Sequence, residues 1–276
     1  MSSRAQTVSS ALLRYFKQQK EIYGDGFVLH HADFEKLREA LERLEQKSPG
    51  SSPGPAVPSF PSSAAETFVD PEKKAEMLFE FYNEVKDCQK CSLGRTRKNF
   101  VFGTGSPDAG LMLIGEAPGR DEDEQGEPFV GRAGQLLNKI LQAIHFQRKE
   151  VYIANILKCR PPNNRDPLPE EVEQCEPYLH RQIEIIQPKL ILALGRVAAQ
   201  TLLKTRTSLA NLRGRLHNYR GIPMIVTFHP AALLRNPQWK YPTWDDVQYA
   251  RKVYDAIVAG RPPESVEYVA NSARKK

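Results

Sequence analysis

Apolar residues recur three and four apart in residues 8–22 (VSSALLRYFKQQKEI) and 33–47 (DFEKLREALERLEQK), the spacing that lines one face of a helix. Two amphipathic helices are therefore predicted near the start of the chain, with Asp33 in the position of an N-cap for the second. Thirteen of the sixteen residues from Ser48 to Ser63 are Ser, Pro or Gly, too poor in apolar side chains to pack and too rich in proline to stay helical. From Asp70 the pattern alternates. Helical periodicity at 71–86, 132–145, 170–187 and 243–259 is interleaved with short apolar runs at Leu111–Ile114, Val151–Ala154, Leu190–Leu194 and Ile222–Thr227, with a further helix after the third run. Strands separated by helices predict an α/β fold with a parallel sheet. The expected organisation is a helical extension (1–47), a linker (48–69), a main domain (70–262) and a basic tail (263–276).

At 276 residues the chain is long enough for one full core plus an appendage. Thirty-nine Lys and Arg against 33 Asp and Glu give a net charge of +6, which suits a polyanionic partner and equally suits an ordinary basic protein. No apolar run is long enough for a membrane span and the first residues carry no apolar secretory segment, so a cytoplasmic protein without a membrane partner is expected.

In parallel sheets ligands bind beyond the carboxyl ends of the strands, so the residues after each run carry the interest. The first run leads into GEAPGRDEDEQGEPFVGRAGQLL (115–137), where glycines and a proline predict a tight irregular loop. The second ends in Asn155, and the fourth runs into His229, followed by PAALLRNP. An acid (Glu116), an amide and an imidazole thus meet at one sheet edge. Taken singly, each has a plain alternative: a turn asparagine, a satisfied histidine, a solvated loop acid, and for Phe129 a core position.

Together these segments closely resemble the family-4 uracil-DNA glycosylases, the iron–sulfur branch of that superfamily, over roughly residues 71–260. The resemblance implies a three-layer α/β/α sandwich around a four-stranded parallel sheet, acting on uracil-containing DNA without a nucleotide cofactor. It implies that Phe129 stacks on an extruded uracil and Asn155 reads its edge. His229 would stabilise the departing uracil anion, and Glu116 would orient water or stabilise the sugar cation. Ala117 stands where family-1 enzymes carry a water-activating aspartate. Glu122 matches a position proposed to exclude the thymine methyl, the alternative being that it caps the loop. Leu233, four residues after His229, is implied as the apolar wedge entering the base stack, and Arg235 as a phosphate contact or a plain surface charge.

Cys88 and Cys91 form a CxxC, Cys159 follows the second strand, and Cys175 lies fifteen intervening residues further on. Four thiolates suit zinc or an iron–sulfur cluster, although structural zinc sites usually bring a second close pair. The resemblance implies a [4Fe–4S] cluster on these four. A nucleic-acid-binding module with a structural metal would share the cysteines and the charge, but has no need of an acid and an imidazole at strand ends. The branch that links a histidine covalently to its product is disfavoured, because CRPPNNRDP after Lys158 contains no histidine.

Overall fold

The computed structural model describes residues 70–270, so the two predicted N-terminal helices, the linker and residues 271–276 lie outside the described residues. The order of elements is α1 (Pro71–Val85), β1 (Thr104–Gly105), β2 (Leu111–Gly115), α2 (Arg120–Gln125), α3 (Arg132–Ala143), β3 (Tyr152–Asn155), α4 (Pro169–Ile186) and β4 (Leu190–Leu194). It continues with α5 (Arg196–Leu203), α6 (Leu209–Leu212), β5 (Leu216–Tyr219), β6 (Ile222–Thr227), α7 (Pro230–Arg235) and α8 (Lys240–Val258).

The sheet has six strands in the order β1-β3-β2-β4-β6-β5. The four predicted strands are its parallel centre, with Gly115 beside Asn155, Leu113 beside Leu192 and Ala193 beside Val226. The expected count of four is corrected by two antiparallel edge strands, β1 on β3 and β5 on β6. Neither is legible as an apolar run: β1 is two residues long, and β5 (LHNY) is only partly buried.

Both faces of the sheet are covered, which is why β2 and β4 read as continuous apolar runs rather than alternating ones. Their residues nevertheless divide by parity. Met112, Ile114, Ile191 and Ala193 join Leu78, Leu179 and Ala198 from α1, α4 and α5. Leu111, Leu113, Leu190 and Leu192 join Leu137 and Leu141 of α3 and Val247 and Val253 of α8. The result is the three-layer sandwich.

Two further differences from the expectations concern loops. Part of the segment predicted to be an irregular loop is helical, as α2. Residues 263–268, assigned to a tail, pack on α8: the Tyr268 hydroxyl donates to Asp246 at 3.0 Å and its ring meets Tyr249 edge-on at 5.4 Å.

Candidate active site

The strand order reverses at β2, whose neighbours β3 and β4 connect onward to opposite sides. At the carboxyl ends of these strands lies a cavity of about 690 Å³, lined by Glu116, Ala117, Glu122, Phe129, Asn155 and His229. The sequence separates these residues by more than a hundred positions, and the parallel pairing brings them together.

Asn155 closes β3 with 2% of its surface exposed, and its Oδ1 has no hydrogen-bond partner. A buried orphan acceptor costs about 1–3 kcal/mol unless a ligand satisfies it. Its neighbour in register is Gly115, where a Cβ would come within 2.4 Å of Asn155 Oδ1 and 2.7 Å of the Phe129 ring. Glycine at the end of β2 therefore makes room for both.

Phe129 is buried with a left-handed backbone (φ 55°), a conformation unfavourable for a bulky residue. Its strain is held by Arg148, whose guanidinium donates to the carbonyls of Pro128 (2.6 Å) and Phe129 (3.2 Å), to the Glu127 carboxylate (3.0 Å) and to Asn138 Oδ1 (3.1 Å). The Phe129 ring ends 5.3 Å from the imidazole of His229.

His229 is the N-cap of α7, and its Nδ1 accepts the Ala231 N–H at 3.2 Å. The ring proton is thereby assigned to Nε2, leaving one N–H donor. Burial first, and the charge of Arg235 second, lower its pKa to about 4, so the ring is neutral at physiological pH. Gly195, after β4, has φ +94°, and a Cβ there would come within 2.9 Å of His229 Cβ. Burial, followed by the nearby Asp166, raises Glu116 to about 7 against the opposing pull of Arg196 and Arg235.

The expected site residues divide. Glu116, Ala117, Glu122, Phe129, Asn155, His229 and Arg235 line one cavity. Glu122 matches the loop-capping alternative: one carboxylate oxygen accepts the N–H groups of Val130 and Gly131 (both 3.0 Å) and the other that of Gly119 (3.1 Å). Leu233, the implied wedge, is buried at 1% exposure, whereas Leu234 is 38% exposed and lines the cavity. Counting four residues from His229 selects the inner face of α7, and the next residue, about 100° further round, faces outward. Sequence reasoning also missed Arg148 and Gly195, whose roles lie in the backbone they hold, and Arg120, Arg132, Arg160 and Arg165, which join Arg235 along the cavity.

The four cysteines belong to one apolar cluster, Cys159 and Cys175 buried, Cys88 and Cys91 half-buried. Among the described residues no group of three ligating side chains converges tightly enough for a single metal ion. Three of the four sulfurs nevertheless receive hydrogen-bond donors. Arg97 donates to Cys159 Sγ (3.2 Å), the Tyr178 hydroxyl to Cys88 Sγ (3.1 Å) and the Lys158 backbone N–H to Cys175 Sγ (3.2 Å). Burial pushes the Cys175 thiol up to about 12, so a thiolate there needs compensating positive charge. Lys158 is fully buried between this corner and the cavity, its Nζ bound to the Asn155 carbonyl (3.0 Å) and Gln182 Oε1 (2.6 Å).

Comparison with known proteins agrees with this geometry. The uracil DNA glycosylase superfamily matches residues 102–251. The chain is 47% identical over 171 residues to a type-4 uracil-DNA glycosylase of Archaeoglobus fulgidus, covering 59% of this chain and 86% of the relative. It is 45% identical over 184 residues to one of Saccharolobus solfataricus (63% and 84%) and 45% identical over 164 residues to one of Thermotoga maritima (58% and 85%). With more than half its length matched and the strand-end residues gathered in one cavity, the chain belongs to the uracil DNA glycosylase superfamily.

Proposed function

We propose that this protein is a monofunctional uracil-DNA glycosylase, which hydrolyses the N-glycosidic bond of uracil in DNA and leaves an abasic site for base-excision repair. The observation that carries the residue-level reading is the orphaned Oδ1 of Asn155, a buried acceptor facing a cavity with an aromatic ring beside it.

The base must leave the helix to reach such a cavity. Phe129 then stacks on it, Asn155 Oδ1 accepts from N3–H, and the Asn155 amino group donates to O4. Cytosine reverses both polarities and leaves buried groups unpaired, which is the basis of strong discrimination. Glu122 supports exclusion of the thymine methyl by fixing the loop that carries Phe129 and Gly131. As the bond to the sugar breaks, charge grows on uracil O2, and the neutral His229 donates from Nε2. A preorganised donor of this kind contributes about 3–4 kcal/mol. Glu116, in its ionised form, orients water or stabilises the sugar cation, with Ala117 beside it contributing no carboxylate. Leu234, rather than Leu233, fills the space left in the stack, and Arg235 with its neighbouring arginines holds phosphates. Lys158, whose Nζ donates to the Asn155 carbonyl at 3.0 Å and to Gln182 Oε1 at 2.6 Å, is buried and engaged, which supports hydrolysis without a Schiff base.

We read Cys88, Cys91, Cys159 and Cys175 as the ligands of a [4Fe–4S] cluster, which would cross-link the loop after α1, the loop after β3 and α4. The described residues contain no helix long and apolar enough to cross a membrane, and we place the enzyme in the cytoplasm. Incubation with a uracil-containing oligonucleotide should give breaks only after alkali treatment. An uncut strand would reject the activity, and breaks before alkali would reject the monofunctional mechanism. Elemental analysis should find iron; zinc without iron would reject the cluster.

A further inference from the structure

The chain has two tryptophans, and both stand exposed in the segment that follows the cavity-lining helix α7. Trp239 follows α7 and is 40% exposed, with its ring stacked on Phe228 at 4.7 Å and 18°, the residue immediately before His229. Arg213 lies over the same Phe228 ring at 4.3 Å. In the first turn of α8, Tyr241 (68%) and Trp244 (42%) are three residues apart and share the outward stripe, while Thr243, Asp246 and Val247 face inward. Leu234 and Arg235, five and four residues before Trp239, line the cavity itself, so the aromatic surface is continuous with it along the chain.

Large aromatic side chains left exposed in a cluster mark a contact surface. The charge around them selects the partner. From His229 to Tyr254 the acidic residues are Asp245 and Asp246, and both are buried. Asp246 is taken up by Arg213, Thr227 and Tyr268. What this segment shows to solvent is the rings of Trp239, Tyr241 and Trp244 and the cations Arg235, Lys240 and Lys252, with the uncharged Leu234, Asn236, Pro237 and Gln238 between them and no exposed acid. Rings with free faces interleaved with cations are how proteins hold unpaired nucleic acid, because every base has a face to stack, whereas bases in a duplex are already stacked on one another. An apolar protein partner would be served by the rings but gains nothing from the cations.

We propose that Trp239, Tyr241 and Trp244 form a stacking shelf for unpaired bases that flank the extruded nucleotide, so that the enzyme engages single-stranded DNA beyond its uracil pocket. This rests on the uracil-DNA glycosylase reading and extends it to the form of DNA preferred. Trp239 is held ready by Phe228, so one face is already ordered before a base arrives on the exposed side.

Because both tryptophans lie on the shelf, intrinsic fluorescence of the full-length, cluster-loaded protein reports on it directly. Titration with a uracil-free single-stranded oligonucleotide should quench that fluorescence, and the matching duplex, bound to the same extent by anisotropy, should quench it much less. Trp244→Ala should weaken single-strand affinity at least about five-fold and raise KM for uracil in single-stranded DNA, with kcat within about two-fold. Trp239→Phe and Trp244→Phe should restore most of the affinity, since a ring suffices. If Trp239→Ala fails to fold, Trp244→Ala and the two phenylalanine variants still decide. Saturating single strand without quenching, or equal quenching by duplex, would overturn the shelf, and a protein partner would then be the better occupant. Excision by the parent enzyme is scored separately: a parent that cuts at uracil without quenching refutes the shelf alone, while a parent that never cuts refutes the function.

Discussion

The cavity at the carboxyl ends of the strands and the cysteine corner on the α1/α4 side are joined by Lys158, which bonds to Asn155 and to Cys175, yet they treat their polar groups in opposite ways. In the cavity the important groups are left wanting. Asn155 Oδ1 is orphaned, Glu116 is raised to about 7 and Phe129 is held with φ 55°. In the corner, Cys88, Cys159 and Cys175 each receive a donor, and Arg97 also ties the chain by donating to the Lys86 and Cys88 carbonyls. A site that must bind and release a ligand keeps its hydrogen-bonding capacity unspent, whereas one that holds a resident group, as proposed for the corner, would surround it permanently. Functional sites are where proteins accept such losses of stability.

The comparison breaks most sharply at His229. In the proposed mechanism its Nε2–H acts on charge present only in the transition state, so His229→Ala should slow single-turnover excision by about 10²–10³-fold, roughly 3–4 kcal/mol, while DNA affinity and iron content stay as in the parent. Parent-like rates would remove His229 from the chemistry.

Next in size is the contrast between adjacent leucines. Leu233→Ala should cost about 2–4 kcal/mol of folding stability in denaturant melts, as a fully buried leucine does. Leu234→Ala should leave stability nearly unchanged and slow excision from duplex DNA. The reverse assignment of the two effects would restore Leu233 as the wedge.

On the corner side, Arg97→Met removes a donor to Cys159 Sγ without touching a ligand. Loss of such a supporting contact typically weakens metal binding by about 10–100-fold, and the variant should release iron to a chelator correspondingly sooner. Cavity variants should hold iron like the parent. Equal retention in both would mean that the corner's donors are incidental.

A smaller effect, of about 1–3 kcal/mol, is expected from Glu116→Gln, and its sign depends on pH. Because burial raises the folded-state pKa from 4.5 to about 7, the folded protein binds this proton more tightly than the unfolded chain. The associated stability is fully present below about 4.5 and is lost as pH rises through 7. The variant should therefore melt like the parent at pH 4 and above it at pH 8. Excision by the parent should fall as Glu116 is protonated below about pH 7, and the variant should lack that limb. A parent profile flat through pH 7 would show that the carboxylate is not required ionised.

The smallest expected effect is from removing residues 1–70. The Ser/Pro/Gly-rich stretch isolates them in sequence, and Pro71–Lys276 is a compact unit of its own. The truncated protein should fold and excise uracil at near-parent rates; failure to fold would show that the extension docks on the domain.

Much of this was determined by the sequence. Four apolar runs between helical periodicities established the parallel centre of the sheet, because strands buried on both faces must be apolar throughout. The residues just after those runs, Glu116, Asn155 and His229, were legible as cavity-lining candidates because ligands sit at strand carboxyl ends, and the cysteine spacing pointed to a thiolate site. The edge strands were not legible, since half-solvated or two-residue strands leave no apolar run. Only tertiary structure decided which leucine faces outward, because one residue on a helix turns the side chain by about 100° and spacing from His229 does not fix the helix's rotation. The roles of Arg148, Gly195 and Gly115 were likewise invisible: each acts by holding, or leaving room for, a residue distant in sequence or on a neighbouring strand. The lowered pKa of His229 and the raised pKa of Glu116 arise chiefly from burial that the fold imposes, and no local pattern in the chain encodes them.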